Sequence, residues 1–204
     1  MLRCLATVLS MWMVMAVPAA AQSDVRGDGT ASGPWRAGAY SFSDELGGFK
    51  IRSVSGLGTK EDPIVIVQEL NSASPVTMII RATRTIKPFA IAGDIANGVI
   101  HMRIRTLNAS QLPWLEFEFE LQEILRKPSV YGDGLSFDQR RTDSSVIVSD
   151  RFKQYDDRFE PYDRLIYFDG YVDPLDIAEF SFMITDFTPQ PEFYLLQDPR
   201  IPAS

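Results

Sequence analysis

From Leu115 to Gln122 the chain reads L-E-F-E-F-E-L-Q. Leu115, Phe117, Phe119 and Leu121 alternate with Glu116, Glu118, Glu120 and Gln122, the period of two that lets a strand bury one face and wet the other. Upstream, Gly98–Leu107 carries the same period, with Ile100, Met102 and Ile104 on one side and His101, Arg103 and Arg105 on the other. The pattern predicts that these two runs pair as a hairpin through Asn108–Pro113. That would set three glutamates beside two arginines and a histidine on the wet face, where exposed cross-strand pairs contribute roughly 0.2–1 kcal/mol each.

Other segments follow the same logic. Phe49–Ser55, Ile64–Leu70 and Val76–Thr83 read as strands, with Pro63 placed where a strand's first residue needs no N–H. Ile86–Ile95, containing Pro88 and Gly93, reads as an irregular crossing. Val146–Val148 is a short strand. Phe152, Tyr155 and Phe159 fall at i, i+3 and i+7, with Ser149 or Asp150 as N-cap and Pro161 as terminator, which predicts one helix near 150–160. Leu165–Val172 and Ala178–Phe187 return to strand, the second with Phe180, Phe182 and Ile184 inward. The proline-rich tail Thr188–Ser204 reads as an extended edge segment. Together these predict an all-β fold, a single mostly antiparallel β-sandwich or open barrel of about 8–10 strands.

The chain's start changes the picture from fold to location. Met1–Ala21 has one positive charge at Arg3, an apolar run from Leu5 to Val17 and small residues at Pro18–Ala21, the order of a signal peptide. A membrane anchor would need about 20 apolar residues and flanking charge. The expectation is therefore residues 1–21 as signal peptide, 22–39 as a flexible leader pinned by Trp35, and 40–204 as a β-domain, periplasmic or secreted. The single cysteine, Cys4, lies in the signal, so disulfides, thiol nucleophiles and thiolate metal sites are excluded from the mature protein. With Arg3 removed, 19 basic residues face 27 acidic ones. That balance disfavours nucleic acid and anionic lipid as partners.

Gly56-Leu-Gly-Thr followed by Asp62-Pro is similar to the G-x-G-T-x-x-D-P entry of secreted right-handed β-helix proteins that act on polysaccharides. A β-helix would repeat every roughly 20–30 residues, and no repeat is visible, so a turn between two strands explains it better. Asp44-Glu-Leu-Gly-Gly-Phe49, Tyr162-Asp-Arg164, Phe168-Asp-Gly-Tyr-Val-Asp-Pro174 and Asp186-Phe-Thr-Pro189 together resemble an uncharacterised family of small exported proteins of Gram-negative bacteria. The resemblance implies export and a shared fold, and brings no activity or site residues.

Catalytic chemistry is reached mainly by elimination. His101 is the only histidine, so a histidine zinc site lacks ligands, and no Gly-x-Ser-x-Gly elbow accompanies a triad. A pair of carboxylates acting on a polysaccharide, as a hydrolase or lyase, stays open as the alternative function. Tyr131–Asp176 is distinct in composition, with ten aspartates and nine Phe or Tyr rings. Asp133, Asp138 and Asp143, joined by Asp156 and Asp157, offer oxygens of the kind calcium takes, at a spacing that matches no EF-hand. Ordinary solvation and ion pairing account for them better, and no metal or other cofactor is assigned. The acidic and aromatic residues Tyr131, Asp133, Asp138, Tyr155, Tyr162, Tyr167 and Tyr171 form the candidate ligand-binding set, since rings stack on sugars or partner side chains while carboxylates accept hydroxyl protons. The leading expectation is a non-catalytic binding protein of the cell envelope, contacting an envelope protein or a glycan.

Overall fold

The computed structural model describes residues 33–91, 94–138, 146–157 and 161–201. The segment read as a signal peptide lies outside them. Thirteen strands run in chain order: β1 (Trp35–Ala37), β2 (Tyr40–Ser43), β3 (Phe49–Ser55), β4 (Ile64–Leu70), β5 (Val76–Ala82), β6 (Val99–Asn108) and β7 (Glu116–Gln122). After a 3-10 turn at Tyr131–Asp133 come β8 (Leu135–Phe137), β9 (Val148–Ser149), β10 (Phe152–Asp156), β11 (Arg164–Gly170), β12 (Ile177–Asp186) and β13 (Glu192–Arg200). They form two packed sheets, a β-sandwich. The first has the order β1-β2-β5-β13-β7-β11-β10, the second β3-β4-β6-β12-β8, with β9 also on β12. Among the described residues no helix is long and apolar enough to cross a membrane.

The inner faces follow the period-two pattern. Phe117, Phe119 and Leu121 of β7 and Phe180, Phe182 and Ile184 of β12 are all buried, and the two rows meet across the sandwich. Ring centroids lie 4.5 Å apart for Phe117–Phe180 and 4.8 Å for Phe119–Phe182, within the range at which aromatic pairs add to their burial. Tyr167, Phe137 and Phe152 extend the row. Beside it, two glutamines clasp the sheets together. Gln68 Nε2 donates to Thr106 Oγ1 at 2.9 Å and to Gln197 Oε1 at 2.5 Å, all three side chains buried. Each would be costly without the others.

Four expectations are corrected. β6 and β7 do not form a hairpin: β6 lies between β4, to which it is parallel, and β12, whereas β7 lies between β13 and β11. The apolar rows of β6 and β7 both need the interior, and placing them in opposite sheets lets both reach it. The wet-face pairing changes with it. Glu118 and Glu120 pair with Arg164 and Arg200, while Arg103 and Arg105 share Glu179. The segment expected as a helix is strand β10 over Phe152–Asp156, with Tyr155 opposite Tyr167; Phe159 lies outside the described residues. The tail is central, since β13 sits between β5 and β7. Pro199 is tolerated because β5 pairs only as far as Gln197, leaving one neighbour where the N–H is missing. The strands also begin before Tyr40, with Trp35, expected to pin a flexible leader, buried on β1.

Candidate functional site

The acidic and aromatic residues singled out in the sequence do not form one site. Tyr155 is paired with Tyr167, and Tyr162 is bridged to Val130 beside Tyr131 and Asp133, while Asp138 and Tyr171 lie apart from both groups. Tyr131 and Asp133 belong to the 3-10 turn. The Asp133 carboxylate closes that turn, accepting from Ser129 Oγ at 2.7 Å, Val130 N at 2.9 Å and Leu135 N at 3.1 Å. Asp138 follows β8, buried, with φ +41°. Tyr167 is a core residue whose hydroxyl donates to Ser181 O at 2.7 Å, and burial pushes its phenol well above the usual range. Tyr155 is half-buried opposite it and shares the hollow beside residues 147–155. Tyr162 and Tyr171, both exposed, stand at opposite ends of β11, the former under the Arg164 guanidinium at 5.2 Å. Asp143 lies outside the described residues. Among the described residues no three acidic or histidine side chains are arranged to hold a metal ion.

Among the described residues, neither the hollow beside residues 147–155 nor the cleft over β6 is lined by two carboxylates. The acid with the most perturbed titration is Asp163, whose carboxyl burial pushes up to about 6, with the Asp133 charge adding and a hydrogen bond from Ser136 opposing. Its Oδ2 accepts no hydrogen bond. It is buried and lines neither hollow, so the proton it holds has no access to a substrate there. Asp186, Asp198 and Glu118 are raised in the same direction, burial being the first cause in each.

Two surfaces remain. The first is the outer face of the second sheet, where a cleft of about 180 Å³ is lined by Lys60, His101, Arg103, Pro63, Val148 and Ser181 among others, none of them acidic. The loop carrying Lys60 is held rigidly. The N–H groups of Leu57, Gly58 and Thr59 all donate to Asp62 O, at 3.1, 2.9 and 3.1 Å, and Gly58 O accepts from His101 N at 3.0 Å. Gly56 is required here, with φ +95° and a position where a Cβ would fall 1.9 Å from Pro63 O. The Gly-x-Gly-Thr…Asp-Pro signal thus belongs to a turn between β3 and β4 that places a lysine over β6.

The second surface is the end of the sandwich formed by residues 109–115 and 171–177. Leu112, Leu115, Tyr171, Leu175, Ile177 and the adjoining Ile201 are exposed there, Leu175 at 79 % and with φ +70°. A bulky residue at positive φ is unusual in a tight turn. Asn108, fully buried, holds both loops. Its Nδ2 donates to Leu112 O at 2.9 Å and Val172 O at 3.0 Å, its Oδ1 accepts from Ser110 N and Oγ, and its backbone O accepts from Leu175 N at 2.8 Å. Tyr171 is the one candidate from the sequence that falls on this surface. Leu115, expected in the buried row with Phe117, Phe119 and Leu121, is instead exposed just ahead of β7, and Leu112 was read only as part of the connecting loop.

No protein-family model matches the chain, and no curated protein matches it.

Proposed function

We propose that the chain is an exported, non-catalytic binding protein of the cell envelope, periplasmic or secreted, that engages an envelope protein or a glycan through the loops 109–115 and 171–177. What carries the reading is the exposed apolar cluster Leu112, Leu115, Tyr171, Leu175 and Ile177 at one end of the sandwich. Scattered apolar residues are ordinary on a surface, but a group of them on two loops fixed by one buried asparagine is the composition of a docking surface. Membership of the exported family that the sequence resembles belongs to the same proposal, as does export through Met1–Ala21.

Two measurements test it. N-terminal sequencing of the protein from a periplasmic or extracellular fraction is expected to begin at Gln22; intact Met1 in the membrane fraction would overturn export. A photo-crosslinking residue at Leu175 in growing cells is expected to trap a discrete adduct that Tyr171→Ser removes. The same residue at Leu57, on the loop at the other end of β4, should trap none. Absence of an adduct at Leu175, or equal capture at both positions, would overturn the assignment of the surface.

A further inference from the structure

We propose that the cleft on the outer face of the second sheet binds a small organic anion, one carboxylate, sulfonate or phosphate group carried on an apolar body. The inference is independent of the loop surface, which lies at the end of the sandwich. Arg103 and Arg105 are two residues apart on β6, so they project from the same face roughly 7 Å from each other. Both turn to Glu179, at 3.4 and 3.6 Å. A guanidinium has five N–H donors in a planar fork, so one shared carboxylate leaves most of the donors of the two arginines for another acceptor. Their side chains are 47 % and 49 % exposed, which keeps those donors within reach of solvent.

Register supplies the rest of the site. Across the sheet, Val65 stands beside Arg103, Arg103 beside Ser181, and Ser181 beside Val148. That row sets a cation and a hydroxyl between two apolar side chains. The fixed turn at residues 57–62 adds Lys60 and Pro63 at the rim. A cleft of about 180 Å³ is of the size that admits a single aromatic ring, since a cavity of roughly 150 Å³ holds benzene. On a chain of net charge −7, a concave surface whose described lining is basic, with Glu179 beside it as the acid that holds Arg103, favours an anion against the general repulsion.

The test uses the protein lacking residues 1–21 in a ¹H–¹⁵N titration with benzoate, with benzamide as its uncharged isostere. Benzoate is expected to shift the amides of Gly58, Lys60, His101, Arg103, Val148 and Ser181 saturably, and benzamide to bind at least about tenfold more weakly. Arg103→Gln should weaken benzoate about tenfold, and added salt should weaken it too. Glu179→Gln removes the competing carboxylate and should tighten binding severalfold, a gain that a purely structural role for these residues does not produce. Equal affinity for benzamide and benzoate would overturn the proposal, as would shifts outside this cleft, no saturable shift, or benzoate affinity unchanged in both variants. Crosslinking at Leu175 should be unaffected by Arg103→Gln, so failure of one reading leaves the other standing.

Discussion

Glu118 sits on the outward face of β7, where alternation alone predicts a solvated side chain, yet only 3 % of it is exposed. Two arginines from the neighbouring strands lie over it: Arg200 pairs with it directly, and Arg164 Nε is 3.4 Å from its Oε1. Removing the carboxylate does not strand these cations, because Arg164 keeps Glu120 at 2.7 Å and Arg200 keeps Glu116 at 3.6 Å. Burial nevertheless raises the Glu118 carboxyl above its ordinary range, the Asp198 and Glu120 charges adding to it, against the attraction of both arginines. The side chain's packing is then worth more than its charge. Glu118→Ala is expected to cost about 1–3 kcal/mol, more than an exposed ion pair would. Glu118→Gln, which keeps the volume, should cost below about 1 kcal/mol. Phe117→Ala, which empties the middle of the aromatic row, should cost about 3–5 kcal/mol. Urea melts of the three variants measure this, and a Glu118→Gln loss equal to that of Glu118→Ala would show that charge pairing dominates instead.

At the scale of elements, alternation specified which residues face inward and was silent on which strands pair. Phe117, Phe119, Phe180, Phe182, Leu165 and Ile184 are all buried as the pattern requires, and the bounds of β3 and β4 match it residue for residue. The β6–β7 hairpin failed because charge complementarity on the outer face is worth tenths of a kcal/mol, whereas the interior places two apolar rows in opposite sheets. The expected helix rested on Phe152, Tyr155 and Phe159, and two described points at a spacing of three fit a strand as well when the partner is Tyr167. Asn108–Pro113, expected as a hairpin connection, is instead a crossing between sheets. Asn108, indistinguishable in sequence from any loop asparagine, ties that crossing to the 171–177 loop beside the Trp114–Val172 backbone bridge. Asn108→Ala removes one of the two donors on each of the Leu112 and Val172 carbonyls, which keep Ser110 Oγ and Trp114 N, so a loss of about 1–3 kcal/mol is expected. Hydrogen exchange should then accelerate at Leu175, whose N–H bonds to Asn108 O, and the crosslink at Leu175 should weaken. Exchange at Leu175 as slow as in the unmodified protein would mean that the loop is held by something other than this residue.

Four acids spread over the molecule are shifted in the same direction. Glu118, Asp163, Asp186 and Asp198 all have carboxyls raised by burial, and the pattern of the sequence gives no sign of it, since an acidic position reads as solvated whether on a strand or in a loop. Each of these groups binds its proton more tightly folded than unfolded. Between the unfolded and folded values the native protein therefore holds the extra proton, and stability falls as pH rises through that window. For Asp163 the window runs from the ordinary value of 3.8 up to about 6. Its contribution is fully present below the ordinary value and is lost as pH passes the folded one. Glu45 is shifted the other way by its hydrogen bond from Arg81. Its stabilisation is present above its ordinary range and is lost only as pH falls below it, outside the interval from neutrality to mild acid. The raised acids thus dominate there, and the protein is expected to be more stable at about pH 5 than at about pH 7.5, with Asp163 alone contributing on the order of 1 kcal/mol. In a chain of this size that corresponds to a Tm higher by roughly 2–4 °C, to which the other three acids add. Asp163→Asn removes the buried charge at neutral pH, so it should raise Tm at about pH 7.5 and flatten the slope by the amount the wild type gains. Calorimetry at the two pH values decides it. A wild-type Tm that is flat or falls on acidification, or an Asp163→Asn variant that keeps the full slope, would mean that Asp163 holds no extra proton in the folded protein.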